Sequence, residues 1–353
     1  LEKALDWTLR KADPISRFRN NGTQTKKHLL KNSAMDRRKT LKKIGIGAAV
    51  SLAAPSLWSC NRPTQTATST MKSAKPLRLS LAQWSLHRTF QSGELNAADF
   101  ASIAKSEFGL DAVEYVNGFY REKGTDQAFW REMLQKSQDH GVKNLLIMVD
   151  EEGDLGNLND TESQKAVENH FKWVDAARIL GCHSIRVNAF GEGAKDEVRK
   201  AMVQSLGKLC AYAAESDIHV LIENHGLFSS DPFWIKSIIE ELNAPNLGTL
   251  PDFGNWCLSA KWGSTQADDC AEVFDRYEGV RTLLPFAKGV SAKSYSFDEK
   301  GEQTKIDYGK MLGIVKESGF EGYIDIEYEG LQQTEPEGIR LTKQLIERIW
   351  ETL

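Results

Sequence analysis

His219 to Gly226 reads HVLIENHG: three apolar residues, Val220, Leu221 and Ile222, run directly into Glu223, Asn224 and His225. An apolar run this short, needing cover on both faces, is what a parallel strand inside an α/β protein presents. Glu223 then stands at the C-terminal end of that strand. Two other stretches have the same form. Leu247 to Phe253 (LGTLPDF) leads to Asp252, and Gly322 to Tyr328 (GYIDIEY) leads to Glu327. Three carboxylates at three strand ends predict one shared pocket.

Outward from these three, strand and helix signals alternate from Leu77 onward. The remaining strands are expected at Leu77–Ser85, Leu110–Val116, Val142–Val149, His183–Ala189 and Gly289–Tyr295. Between them, apolar residues recur at steps of three and four, as in Val167, Phe171, Val174, Ala177 and in Ile235, Ile238, Ile239, Leu242, which is helical spacing. Asp231-Pro232 is a helix start, and Gly181 and Gly319 are helix stops. Eight β and α units in alternation predict an α/β fold of one domain, a closed parallel (β/α)8 TIM barrel with its site at the C-terminal strand ends.

Side chains alternate across a strand, so the residues facing the barrel axis can be sorted. Leu221, Glu223 and His225 share a face, as do Tyr323, Asp325 and Glu327, and Ser291, Lys293 and Tyr295. Arg186 and Asn188 share one face of the fourth strand, while Ile185 and Val187 turn to the helices. Glu114 ends the second strand, and Gln83 and His87 lie near the exit of the first. Clustered carboxylates need a counter-charge, and a divalent cation supplies one. Oxygen ligation suits Mg²⁺ or Mn²⁺, and an added histidine nitrogen moves the choice toward Mn²⁺, Co²⁺ or Zn²⁺. The competing reading pairs the same acids with Lys293 and Arg186 in a structural network. Trp84, Trp256 and Tyr295 are either sugar-stacking rings or ordinary core aromatics.

The chain's 353 residues, 41% of them hydrophobic, suffice for one barrel and an N-terminal extension. Residues 1–59 carry 13 Lys+Arg against 4 Asp+Glu, which leaves 32 against 45 in the remainder. A body with that acidic surplus repels phosphate backbones, so nucleic acid is excluded as a partner. From Met35 the chain has a charged segment with Arg37-Arg38, a short apolar run and Leu57-Trp58-Ser59-Cys60. These features resemble a twin-arginine signal and a bacterial lipobox over 35–60, which implies export and a lipid on Cys60 as the membrane attachment. The expected locale is periplasmic or membrane-anchored. Residues 1–34 read as an upstream extension, with translation starting at Met35, and 61–76 as a flexible linker before a barrel at 77–353. Cys182, Cys210, Cys257 and Cys270 form no C-x-x-C pair and are expected to be small buried core residues.

With those residues in view, the body resembles the sugar phosphate isomerase/epimerase family with its xylose-isomerase-like barrel. The resemblance rests on ENHG (Glu223 to Gly226), PDFGNW (Pro251 to Trp256), SAKSYSFD (Ser291 to Asp298) and IEYEG (Ile326 to Gly330). It implies one divalent metal ion held by a Glu, an Asp, a His and a second Glu, with the two Glu residues moving a proton beside a sugar carbonyl. Carried over, the two Glu residues are Glu223 and Glu327 and the Asp is Asp252. The family's His falls on Ser291, and a second His of the pattern falls on Asn255. Either His225 or water completes the shell, or the site has changed its chemistry and Lys293 has become a proton-transfer group.

Glu114, Arg186, Asn188, Asn255 and Lys293 are the expected contacts to a small carbohydrate. The leading expectation is an exported isomerase or epimerase. The alternatives are a lyase that eliminates the C1 group of 3-keto glycosides, and a non-catalytic saccharide-binding lipoprotein. A metal-dependent apurinic endonuclease, which shares the barrel, requires a His-rich metal cluster and a basic groove; this chain has 7 His in all.

Overall fold

A computed structural model describes residues 76–353. The expected signal, Cys60 lipobox, upstream extension and nearly all of the linker lie outside the described residues. The strands are β1 Leu79–Ala82, β2 Ala112–Val116, β3 Lys143–Val149, β4 Ser184–Asn188, β5 His219–Glu223, β6 Leu247–Leu250, β7 Gly289–Ser294 and β8 Tyr323–Tyr328. Each is followed by a helix: α1 Phe100–Phe108, α2 Gln127–Asp139, α3 Asp160–Leu180, α4 Lys195–Ala214, α5 Pro232–Leu242, α6 Arg276–Leu283, α7 Tyr308–Glu317 and α8 Glu335–Thr352. The strands pair in parallel in the order β6-β5-β4-β3-β2-β1-β8-β7. Between β6 and β7 the ring is closed by two single bridges, Thr249 with Ala287 and Asp252 with Ser291.

The alternation read from sequence sorts the core correctly. Ala82, Val116, Leu146, Met148, Leu221 and Leu250 form a small cluster of their own, as strand faces turned to the axis should. Ile185, Val187, Val220 and Ile222 belong to the larger layer packed under the helices. The helix boundaries have local causes. Asp231 accepts from Phe233 N and Trp234 N ahead of Pro232, and α3 runs from the Asn159 cap to Gly181, whose φ of 78° an L side chain adopts at a cost.

The strands are shorter than expected, and the two that fall furthest short do so for a visible reason. β1 gives way at Gln83 to a helical turn, because Gln83 Oε1 takes the Val116 N–H at 2.9 Å and its amide donates to Tyr120 Oη at 2.7 Å. β6 ends at Leu250 because Pro251 has no N–H for a ladder.

The expectation that the four cysteines are small buried core residues needs one correction, because two of them are joined. Cys257 and Cys270 form a disulfide with Cα atoms 5.8 Å apart, while Cys182 and Cys210 are free and buried. The pair ties the long connection between β6 and α6 back on itself, beside a bridge from Cys257 to Val273. No helix among the described residues is long and apolar enough to cross a membrane.

Candidate active site

Asn224 fastens the end of β5 to the end of β6. Its amide donates to Asp252 O at 3.0 Å, and its Oδ1 accepts from Asp252 N at 2.8 Å. Asp252 is then aimed by its own turn: Oδ1 accepts from Gly254 N at 2.6 Å and Asn255 N at 2.8 Å. This turn role coexists with a place in the cluster. Ligand atoms of Glu223, Asp252 and Glu327 all lie within 4.8 Å of one another, and all three residues are buried. Three residues distant in sequence thus meet at the C-terminal mouth.

Two cations are built among them. Arg186 Nε lies 2.8 Å from Glu223 Oε2, and its Nη1 lies 2.6 Å from Asp150 Oδ1. Lys293 Nζ lies 3.0 Å from Glu327 Oε1, 3.1 Å from Glu329 Oε1 and 3.5 Å from Asp252 Oδ2. Ser291 Oγ donates to Glu327 Oε2 at 2.7 Å, and the Asn255 amide donates to Glu223 Oε1 at 3.3 Å. The site is therefore a charge lattice, not a bare acid cluster.

His225 stands beside the three acids and outside that ligand group. Its Nδ1 is 2.7 Å from Asn188 Oδ1 and 3.5 Å from Glu223 Oε2. The Asn188 amide is oriented by its donation to Asp150 at 2.7 Å, so its oxygen accepts, Nδ1 carries the proton and Nε2 is left as the acceptor nitrogen. Glu114 lies deeper than the cavity, buried, with Ser80 Oγ donating to it at 2.8 Å. Trp256 and Tyr295 are fully buried core rings, whereas Trp84 faces the cavity.

The environments push the two glutamates apart. Burial and the charge of Glu327 raise Glu223 to about 7, against the pull of Arg186 and Lys293. For Glu327 burial acts in the same upward sense, but the Lys293 ammonium and the Ser291 hydroxyl prevail and hold it below the ordinary carboxylate range. Burial, with Arg186 and Lys293 adding to it, lowers His225 to about 3, so it is neutral. Lys293 is held well above its usual range despite burial, because Asp252, Glu327 and Glu329 surround it.

A cavity of about 550 Å³ opens above this lattice. Arg186, His225, Asn255, Glu327 and Glu329 face it, with Glu223 set behind Arg186 and Asn255. Trp84 and Phe119 line one wall, and Trp262 lines another. Trp262 sits on the disulfide-tied connection, with its ring edge-on to Phe190 (5.4 Å) and to His225 (5.0 Å). Its φ of 70° is rare for a bulky residue, and such strain persists where surrounding structure enforces it.

Asp150, Glu329 and Trp262 were missed from sequence. Asp150 follows the apolar Leu145 to Val149 just as Glu223 follows Ile222, and Glu329 lies two residues beyond Glu327, so the strand-end pattern marks both. Trp262 carries no such signal.

A parallel eight-stranded barrel with acids from β5, β6 and β8 gathered at its C-terminal mouth defines the class: an α/β barrel with a polar site over the strand ends. Within that class the chain belongs to the xylose isomerase-like TIM barrel family, whose model matches residues 103–349. No curated protein sequence matches the chain. Among solved structures it is similar to a 3-keto-D-glucoside 4-epimerase from E. coli (12% identity, TM-score 0.57, 77% of this chain and 100% of that one). It is also similar to a D-psicose 3-epimerase from Clostridium cellulolyticum H10 (8%, 0.60, 78% and 99%). A third similar structure is the IOLI protein, which holds a zinc atom (15%, 0.58, 78% and 99%). At such identities the likeness establishes the fold.

The family's ion fits the donor set in part. The carboxylates of Glu223, Asp252 and Glu327 could hold a divalent cation, and Asp252 Oδ2 is buried without a hydrogen bond.

Proposed function

We propose that the protein is a sugar-active enzyme of the isomerase/epimerase type that removes a proton from the carbon beside a sugar carbonyl. The observation that carries this reading is the unlike surroundings of two neighbouring glutamates, Glu327 on the cavity wall against Lys293 and Ser291, and Glu223 buried behind Arg186 and Asn255. Two titratable groups whose environments separate their proton affinities are suited to opposite roles. Glu327, ionised and on the cavity wall, is the proton acceptor. Glu223 keeps its proton near neutral pH and returns one as the acid, reaching the sugar past Asn255 and Arg186. Arg186, His225 and Asn255 orient the hydroxyls, with His225, held at Nδ1 by Asn188, accepting from one of them at Nε2. A divalent ion bound among Asp252, Glu327 and an ionised Glu223 would supply Lewis-acid polarisation of the carbonyl, and in that state Glu223 would be a ligand and not the acid.

Proton NMR in deuterated water on a panel of free ketoses tests the reading. It expects deuterium at the carbon next to the carbonyl together with a second sugar. No exchange with any ketose or 3-keto glycoside would leave a saccharide-binding protein as the reading that remains.

The second reading, a lyase on 3-keto glycosides, is favoured by the cavity itself. About 550 Å³ between the Trp84 and Trp262 walls exceeds what one sugar ring fills. Proton removal is the same step, and the electron pair then expels the group at C1. Release of the aglycone from a 3-keto glycoside, without epimer formation, selects this branch. Export to an oxidising compartment accords with the Cys257–Cys270 disulfide, since such bonds are rare in reducing cytosol.

A further inference from the structure

We propose that the Lys293 ammonium is the resident counter-charge of the Glu223, Asp252 and Glu327 trio, and that it holds the trio's affinity for a divalent ion low. The inference rests on the sugar reading only for the location of the site. Four of the six carboxylate oxygens of the trio accept a hydrogen bond, and the other two, Glu223 Oε2 and Asp252 Oδ2, each face a cation without one. Glu223 has Asn255 on Oε1 and Arg186 on Oε2. Asp252 has two backbone N–H groups on Oδ1 and Lys293 near Oδ2. Glu327 has Lys293 on Oε1 and Ser291 on Oε2.

An ion using these oxygens must displace those partners and stand close to a fixed positive charge. Lys293 is 1% exposed and its ammonium stays among Asp252, Glu327 and Glu329. Its stem is accommodated by Gly254, where an added Cβ would come within 2.7 Å of Lys293 Cγ. The Ser291 side chain adds to the effect. A hydroxyl that donates to Glu327 withdraws a lone pair from an incoming ion, where a histidine nitrogen would have provided one. The lattice is thus arranged around an ammonium on a tether, occupying the charge role that a free dication fills when carboxylates gather without a lysine.

Manganese titration by calorimetry, with elemental analysis after dialysis, tests this on the full chain. Lys293→Met keeps the length of the stem and removes the charge. The wild type should emerge nearly metal-free and bind Mn²⁺ weakly, and Lys293→Met should bind one equivalent about 100-fold more tightly. One equivalent retained by the wild type overturns the proposal, as does an affinity in Lys293→Met that is equal or weaker. Lys293→Gln serves if circular dichroism shows Lys293→Met unfolded, and if neither folds the wild-type metal content decides alone. Failure of the sugar chemistry is separable, because absence of deuterium exchange leaves the manganese affinities untouched.

Discussion

Arg186 Nε lies 2.8 Å from Glu223 Oε2 with both side chains almost wholly inside the protein, at 4% and 3% exposure. The same guanidinium reaches Asp150, so one cation from β4 links the ends of β3 and β5. Burying such a lattice costs solvation, but removing one member costs more, since it leaves the others uncompensated. Arg186→Met should therefore lower stability by about 3–5 kcal/mol, read as a shift of the urea midpoint. Adding Asp150→Asn and Glu223→Gln to that variant should restore much of the loss. A single substitution as stable as the wild type would show the pair to be dispensable.

The opposed glutamates give the reaction a pH dependence with a definite sign. In the proposed mechanism Glu223 must be protonated, and burial raises it to about 7, so activity should fall by about tenfold per pH unit above neutrality. Glu327 must be ionised and is held below the ordinary range, so the acid limb lies below about pH 4.5. Glu327→Gln should slow deuterium exchange by about 10² to 10⁴. In Glu223→Gln the alkaline fall should vanish. A wild-type profile that keeps rising above pH 8 would reverse the assignment of acid and base.

The Cys257–Cys270 disulfide closes a short loop carrying Trp262, and its effect should be concentrated there. In the chain-entropy account a loop of this length contributes roughly 3 kcal/mol when crosslinked. The double substitution Cys257→Ser with Cys270→Ser should cost up to about that much stability. It should also raise KM for a glycoside while leaving kcat little changed, because the Trp262 wall loosens and Glu327 does not move. Non-reducing peptide mapping should find the two cysteines joined, and Cys182 and Cys210 protected from thiol reagents until unfolding. Finding Cys257 or Cys270 freely alkylated in the native protein would dispose of the crosslink.

The barrel and the meeting of Glu223, Asp252 and Glu327 were legible because strand alternation and strand-end position are written locally, residue by residue. Asp150 obeyed the same rule and was readable by it. What fills the space between the acids was readable only as one of two alternatives, a bound ion or pairing with Lys293 and Arg186, and the structure shows the pairing. That Lys293 turns toward three carboxylates, and that Arg186 divides itself between Asp150 and Glu223, depends on how the β3–β5 and β7–β8 registers place side chains from separate strands. The cysteine pair was hidden for a related reason. A separation of 13 with no motif says nothing until the connection folds back through its Cys257–Val273 bridge.

Gly226, the last residue of the ENHG stretch, has φ 98°, a backbone state open to glycine and strained for L side chains. Space is a second constraint. A Cβ there would lie 2.6 Å from Gly263 N and 2.7 Å from Trp262 N, and would also press on Ala260 O. Backbone on the facing connection cannot swing aside as a side chain does, so Gly226→Ala must push the Trp262 segment off the barrel mouth. Gly301 is the proper control, having φ 75° with nothing within 4 Å of its Cβ position. Gly301→Ala should cost about 1 kcal/mol, the conformational strain alone. Gly226→Ala should cost clearly more, expose the 257–270 loop to limited proteolysis and weaken saccharide binding. Equal costs at the two positions, with the loop still protected, would show that the close approach at Gly226 does not seat the wall of the site.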